Sequence, residues 1–416
     1  MALARRAFIA GGAHTNFIGK NHPDFIWKRH PDFGKKENPT WEQLLQEAVD
    51  GLIVDTGLNP EDVDRLFLGN FTGELFVSQG HMGAGLVGTH PAFANKPSTR
   101  VEGACASGGL AIMAGLDAIA AGADIVLIAG VEVQTTVSAR EGGDYLARAS
   151  HYSRQRSIDD FTFPALFGRR AKAYRGKYGV SAEQIDAVAV KAYTNANKNP
   201  YAHMKAIGLN VEQAAGSPTF LQNQEFGPFV KLSDCSQVSD GASALLLVSE
   251  AGLAKIGKSQ SETAEIVGRG HSVSSLYEDG DLTKLTTSAS AVEKAYVDAG
   301  VSANDIDIAE VHDCFAVTEV MMYEAAGFAE EGKGGELAAS GETGIHGKIP
   351  VNTGGGLIGF GHPVGATGVK QALEIYRQMK GKCGDYQVST QPKYGLTINM
   401  GGDDKTVVSM VIKNGE

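Results

Sequence analysis

The feature that most narrows what this chain can become is a pattern that it uses twice. WEQLLQEAVDGLIVDTG runs into LNPEDVDRLFLGN, and far downstream SASAVEKAYVDAG runs into VSANDIDIAEVHD. In each copy apolar residues recur at helical spacing up to a glycine, Gly57 or Gly300. An acidic turn follows, and a β-type run starts after an aspartate, Asp64 or Asp307. Glycine ends a helix well because it adopts left-handed dihedrals at little cost. A weaker third copy, GVSAEQIDAVAV, starts at Gly179. Recurring helix–turn–strand units predict an α/β fold of two similar halves whose strand ends face one another across a shared cleft.

A length of 416 residues suits two lobes better than one small core. The expected division is 1–258 for the half that carries the first copy and 259–416 for the other. With 43% hydrophobic and 20% charged residues the composition is that of an ordinary globular protein, and a net charge of −11 argues against general nucleic-acid binding. Four scattered cysteines, Cys105, Cys235, Cys314 and Cys383, do not form a disulfide framework and fit a reducing, cytoplasmic setting. The longest apolar region, Leu110 to Val133, is interrupted by Asp117 and Asp124, so no membrane span is expected. The N-terminal MALARRAFIAGGAH reads as a first strand rather than a signal peptide.

Inside the first half, about 141–224, the composition changes to aromatics, asparagines and cations. Between positions 148 and 177, Arg148, Arg154, Arg156, Arg169, Arg170, Lys172, Arg175 and Lys177 face only Asp159 and Asp160. Such an excess is either a solvated helical face or a lobe that docks a polyanionic ligand such as a phosphorylated cofactor.

Three motifs carry chemistry. In VEGACASGGLAIMAGLDAIAAGADIVLIAGVEV, a buried helix is expected from about Cys105 to Ala121 and a strand from Ile125 to Gly130. Cys105 then stands at a helix N-terminus, where backbone N–H groups favour the nucleophilic thiolate, and small neighbours admit a substrate. In VNTGGGLIGFGHPVGATGVKQALEIYRQMKG, a glycine-dense loop fixes His362 between Gly361 and Pro363 ahead of an amphipathic helix. In VHDCFAVTE, His312, Asp313 and Cys314 lie together where a short apolar run ends. Taken alone, this last triplet reads as a metal clip, a redox feature, packing, or half of an active site. A zinc site lacks the paired short ligand spacings usual for structural zinc, so no metal is called for.

Together with SDCSQVSDGASALLL and the C-terminal GLTINMGGDDKTVVSMVI, these ordered motifs resemble the thiolase superfamily from end to end. The HDCF at 312–315 is similar to the branch related to sterol-carrier-protein-linked thiolases. The resemblance implies a thiolase fold, two similar halves in a five-layered α/β/α/β/α arrangement, with an inserted loop domain at about 141–224 that binds coenzyme A. It implies CoA thioesters as substrates, coenzyme A as substrate or product, no permanently bound cofactor, and a homodimer or homotetramer, with room for an accessory protein partner. The activity implied is an acyltransferase of lipid and fatty acid metabolism that cleaves 3-oxoacyl-CoA with CoA, or condenses acetyl-CoA.

Carried onto this sequence, Cys105 matches the acylated nucleophile and His362 its base. His312 stands where many thiolases have Asn, as an oxyanion donor. Many relatives place a second reactive Cys in a Cys-x-Gly motif near the C-terminus. Here that stretch reads Asn399-Met400-Gly401, so Cys314 becomes the candidate acid/base. Asp403 and Asp404 also break the glycine run of many relatives, which bears on the local backbone. Donors for the enolate are expected at His312 and His362, and for the acylation intermediate at the Cys105 and Gly401 N–H groups. The basic insert offers Arg169, Arg170, Lys172 and Arg175 for CoA. Two other readings use the same residues: a cysteine hydrolase, and a weakly active or non-catalytic thiolase-like subunit of a larger complex.

Overall fold

The computed structural model describes residues 5–415. Its strands are β1 (Phe8–His14), β2 (Arg65–Gly69), β3 (Ser98–Val101), β4 (Ile125–Glu132), β5 (Gly241–Val248), β6 (Ala264–Val273), β7 (Ile308–Glu310), β8 (Tyr394–Gly401) and β9 (Thr406–Asn414). They form one ladder in the order β3-β2-β4-β5-β1-β6-β9-β8-β7. The link at its centre is slight: β1 and β6 share only the pairs Phe8↔Glu265 and Ile9↔Ala264.

Outward from that link the two sides repeat. On one side β1 is antiparallel to β5, β5 to β4, and β4 and β3 both run parallel to β2. On the other, β6 is antiparallel to β9, β9 to β8, and β8 runs parallel to β7, beyond which Val351 makes a parallel bridge to Ala309. The two strong sequence copies occupy matching places. Helix α1 (Trp41–Thr56) ends at Gly57 with φ 68° and leads through a short turn into β2. Downstream, the helix Thr286–Ala299 ends at Gly300 with φ 67° and leads into β7.

The burial pattern assembles the layers. Along β4, Ile125, Leu127, Ala129 and Val131 pack with Leu44, Leu45 and Val49 of α1, while Val126 and Ile128 point the other way. That second face meets α2 (Ser107–Ala120), whose Ile112, Leu116 and Ile119 share a core with Val369, Leu373 and Tyr376 of the helix Val364–Met379. The same core takes Ile266, Ile308, Val408 and Met410 from the other half of the ladder. The far face of that half, with Leu396, Ile398 and Val411, packs on Ala291, Val292 and Ala295 of Thr286–Ala299. The result is α/β/α/β/α, with a paired helix layer in the middle. Strands buried on both faces explain their continuous apolar runs.

The expected third copy differs. Gly179 ends α3 (Thr162–Tyr178), but no strand follows: Ser181 and Gln184 make a capping box that opens α4 (Ala182–Ala196). Ile185, Val188, Ala189 and Ala192 are buried at helical spacing, so the run IDAVAV reads with period 3.6 rather than 2. The helices that complete the second half are α5 (Thr286–Ala299), α6 (Ala316–Ala325) and α7 (Val364–Met379).

Candidate active site

Cys105 lies on a tight 3-10 turn, Ala104–Ala106, just before α2. Ala104 takes φ 52°, a left-handed conformation that costs a non-glycine residue free energy and sharpens the bend. Glu102 holds the turn by accepting the Ala104 N–H at 2.6 Å, and Ser107 Oγ accepts the Gly103 N–H at 3.0 Å. The thiol is thus carried by a bend ahead of the helix rather than by its first turn, as the sequence implied.

His362 enters from the glycine loop before α7. Its Nδ1 is 2.7 Å from the Thr367 hydroxyl, which leaves Nε2 as the ring nitrogen free for the site. His312 follows β7, and its ring stands edge-on to that of His362, with centroids 5.2 Å apart and planes at 84°. Ligand atoms of Cys105, His312 and His362 all lie within 4.8 Å of one another. Cys314 lines the same cavity, with its Sγ 3.7 Å from the Thr318 hydroxyl.

The scaffold between these groups crosses the whole chain. Asp313 accepts the N–H groups of Leu357 and Ile358 at 2.7 and 3.3 Å, tying the HDCF run to the glycine loop. Cys235 bridges Phe315, and the Ser236 N–H donates to Cys314 O at 2.9 Å, which brings the SDCSQ run to HDCF. Buried Glu132 gathers the N–H groups of Phe71, Thr72 and Gly365 and the Asn70 amide. Burial pushes its carboxyl up to about 7 despite those donors.

The cavity holds about 220 Å³ and is walled by Phe71, Phe161, Phe163, Phe220, Phe315 and Leu146, besides the reactive groups. Its low polarity governs protonation. Burial pushes the Cys105 thiol up to about 12, although a Gly402 N–H donates toward the sulfur and pulls the other way. Burial, then the charge of Lys370, brings His362 down to about 3, and burial with the neighbouring His362 takes His312 well below the usual imidazole range. Cys314 is raised by burial and then by Cys105. The expected helix-stabilised thiolate is therefore replaced at rest by a neutral thiol beside two neutral imidazoles. Desolvation outweighs the dipole, because α2 begins two residues after the thiol.

Two residues take roles here that the sequence did not give them. The backbone N–H facing Cys105 belongs to Gly402, whereas the expected donor Gly401 is the last residue of β8, paired with Thr406. Asn399 bonds the nucleophile's own carbonyl, its Nδ2 being 2.9 Å from Cys105 O. The basic insert divides. Arg169 pairs with Asp279 at 3.1 Å and Lys172 with Glu225 at 2.9 Å, while Arg175 Nε donates to Val180 O at 3.1 Å. Arg170 is buried on the inner face of α3, with Nε 2.8 Å from Asp403 Oδ1, so it is no surface contact for a ligand. Asp404 caps the start of α5 by accepting the N–H groups of Thr287 and Ser288, both at 2.9 Å. The two aspartates that break the glycine run thus each have a partner.

Comparison with known proteins spans most of the chain. Residues 31–251 match the family model of the thiolase N-terminal domain, and 268–414 that of the thiolase C-terminal domain-like family. An acetyl-CoA acetyltransferase of Methanothermobacter thermautotrophicus is 36% identical over 371 residues, 88% of this chain and 93% of that protein. Human sterol carrier protein 2 is 33% identical over 252 residues, 59% of this chain and 44% of that protein. Among solved structures, the Ltp2-ChsH2(DUF35) aldolase superposes with a TM-score of 0.79 at 23% identity, covering 98% of both chains. Human mitochondrial 3-ketoacyl-CoA thiolase in complex with CoA superposes with a TM-score of 0.70 at 18% identity over 100% of both.

Proposed function

From the premise that the chain belongs to the thiolase family, both of whose domain models it matches, we propose that it is an acyl-CoA C-acyltransferase working through an acyl-Cys105 intermediate. The observation that carries this reading is the convergence of Cys105, His312 and His362 within 4.8 Å at the wall of an apolar cavity that Cys314 also lines. In the cleavage direction His362 Nε2 takes the Cys105 proton as the sulfur attacks the 3-oxo carbon. The N–H groups of Cys105 and Gly402 receive the oxyanion. Breakage of the bond between C2 and C3 leaves an acyl group on Cys105 and the enolate of acetyl-CoA. The enolate oxygen is held by the imidazole N–H groups of His312 and protonated His362. Cys314 gives its proton to the enolate carbon and recovers one from the incoming CoA thiol, which attacks the acyl-cysteine and releases acyl-CoA. His362 then returns its proton to Cys105. Neutral resting groups suit this cycle, since an imidazole already charged could accept no proton.

Arg169, Lys172 and Arg175 are assigned to docking CoA, and Arg170 is not. A homodimer is supported by β3, an edge strand that pairs only with β2 among the described residues and is largely half-exposed. Lipid metabolism and a cytoplasmic location complete the reading. No helix among the described residues is long and apolar enough to cross a membrane, and all four cysteines are free.

The test is turnover of the purified protein against 3-oxoacyl-CoAs of increasing chain length with free CoA. CoA-dependent cleavage with ping-pong kinetics is expected. Release of free acid would instead make it a cysteine hydrolase. Failure to turn over acetoacetyl-CoA or any longer substrate would make it a binding subunit, and stoichiometric zinc in the purified protein would reassign the Cys–His cluster.

A further inference from the structure

Asn399 occupies β8 directly beneath the reactive groups and is buried, as is His312. Its Oδ1 accepts the Gly109 N–H at 3.0 Å, its Nδ2 donates to Cys105 O at 2.9 Å, and the same Nδ2 is 3.5 Å from His312 Nδ1. These partners fix which end of the amide is which. A backbone N–H requires the oxygen and a backbone carbonyl requires the nitrogen, so the side chain has one orientation. The opposing helix packs closely against it: a Cβ on Gly368 would lie 2.3 Å from Oδ1.

The two hydrogens of Nδ2 then meet two acceptors, Cys105 O and His312 Nδ1. A proton on Nδ1 would set N–H against N–H in a buried place and leave both unpaired. We infer that Asn399 is a positioning residue that fixes the tautomer of His312, making Nδ1 the acceptor and Nε2 the ring nitrogen that carries a proton into the site. At 3.5 Å the contact is longer than an ordinary N–H hydrogen bond, so its effect lies in excluding a proton from Nδ1 rather than in strength. One side chain thereby sets two things: the turn that bears the nucleophile, through Cys105 O and Gly109 N, and the donor that meets the enolate oxygen. The inference rests on the thiolase reading only for what the donor is used for.

The test is a long-range nitrogen–proton NMR correlation on protein carrying ¹⁵N-labelled histidine, with His312 assigned by its disappearance in His312→Asn. A protonated Nε2 and bare Nδ1 are expected for His312, and a protonated Nδ1 overturns the inference whatever any variant does. In Asn399→Asp the carboxylate would accept from Nδ1 and invert the tautomer. Exchange of the acetyl-CoA methyl protons with D₂O, which reports the enolate, should fall by roughly 10²–10³-fold. Acyl labelling of Cys105 by acetyl-CoA should fall far less than exchange, since there only the donation to Cys105 O is lost. If labelling falls as far as exchange, Asn399 only supports the fold of the site and the positioning role is lost. Absence of both labelling and exchange in the wild-type protein would refute the thiolase reading, a result the tautomer spectrum does not depend on.

Discussion

Arg170 Nε stands 2.8 Å from Asp403 Oδ1 in the protein interior, and the pair joins the inserted segment to the loop after β8 that carries Gly402. The guanidinium also donates to the carbonyls of Asp281 and Lys284, at 3.1 and 2.8 Å. An arginine drawn inside by three acceptors fixes backbone, and the backbone fixed here bears the N–H that points at the Cys105 sulfur.

Removing one partner of such a pair leaves the other charged and buried, which typically costs about 3–5 kcal/mol. Arg170→Ala should therefore lower the urea midpoint of unfolding by that equivalent. The protein that remains folded should keep its Michaelis constant for CoA. A loss below about 1 kcal/mol, or a raised constant for CoA in a fully stable variant, would return Arg170 to the docking surface.

The protonation state of the free enzyme gives a pH signature. With the Cys105 thiol raised to about 12 and His362 lowered to about 3, the thiolate fraction at neutral pH is small and grows throughout the alkaline range. The rate of Cys105 alkylation by iodoacetamide, followed on its own peptide by mass spectrometry, should climb steadily from about pH 7 to 10. A plateau already reached near pH 7 would mean that a thiolate–imidazolium pair is formed at rest.

Much of this was legible in the chain, for definable reasons. Gly57 and Gly300 mark helix ends because left-handed backbone needs glycine, and each is followed by a turn and a strand as the repeat required. Cys105 and His362 stand among glycines and small residues because other backbone approaches them, and that crowding is a sequence signal. Asn399 gave no such signal, since its partners at Cys105 and Gly109 lie some 290 positions away. Arg170 looked like its neighbours in a run of cations. Only its helical phase, one face inward with Ala171 and Tyr174, separates it from Arg169 and Lys172. Gly402 and Gly401 are adjacent and chemically identical, and which of them faces the sulfur depends on where β8 stops.

The outward cations of α3 make a separate prediction. Lys172 and Arg175 lie over the rings of Phe226 and Phe229, on the side of the insert away from Asp403. Contacts remote from the reacting atoms supply mainly uniform binding. Reversing both charges, Lys172→Glu with Arg175→Glu, should raise the Michaelis constant for full CoA substrates several-fold and leave turnover nearly unchanged. Short pantetheine thioesters should be unaffected. An equal rise with both kinds of thioester would remove the docking role from this face.

The last prediction concerns the division of labour between the two cysteines of the cavity. Cys105 and His362 suffice for acylation in the proposed cycle, whereas Cys314 handles the proton of the second reactant. Its thiol is raised by burial and by the nearby Cys105, so it is protonated at neutral pH and can act first as an acid toward the enolate carbon. Cys314→Ala should then separate the half-reactions. Transfer of the acyl group from acetyl-CoA onto Cys105 should persist, while thiolysis of a 3-oxoacyl-CoA should fall by roughly 10²–10⁴-fold, the reach of one positioned acid/base. His312→Ala should instead slow methyl proton exchange in acetyl-CoA by roughly 10²–10³-fold, as for one lost oxyanion donor. The competing view is that Cys314, which packs with Phe315 and Val317, is a core thiol. On that view alanine would cost a little stability and no chemistry. A folded Cys314→Ala protein with full thiolysis activity would thus defeat the assignment and move the search for the acid/base to the end of β8 and Gly402 beyond it.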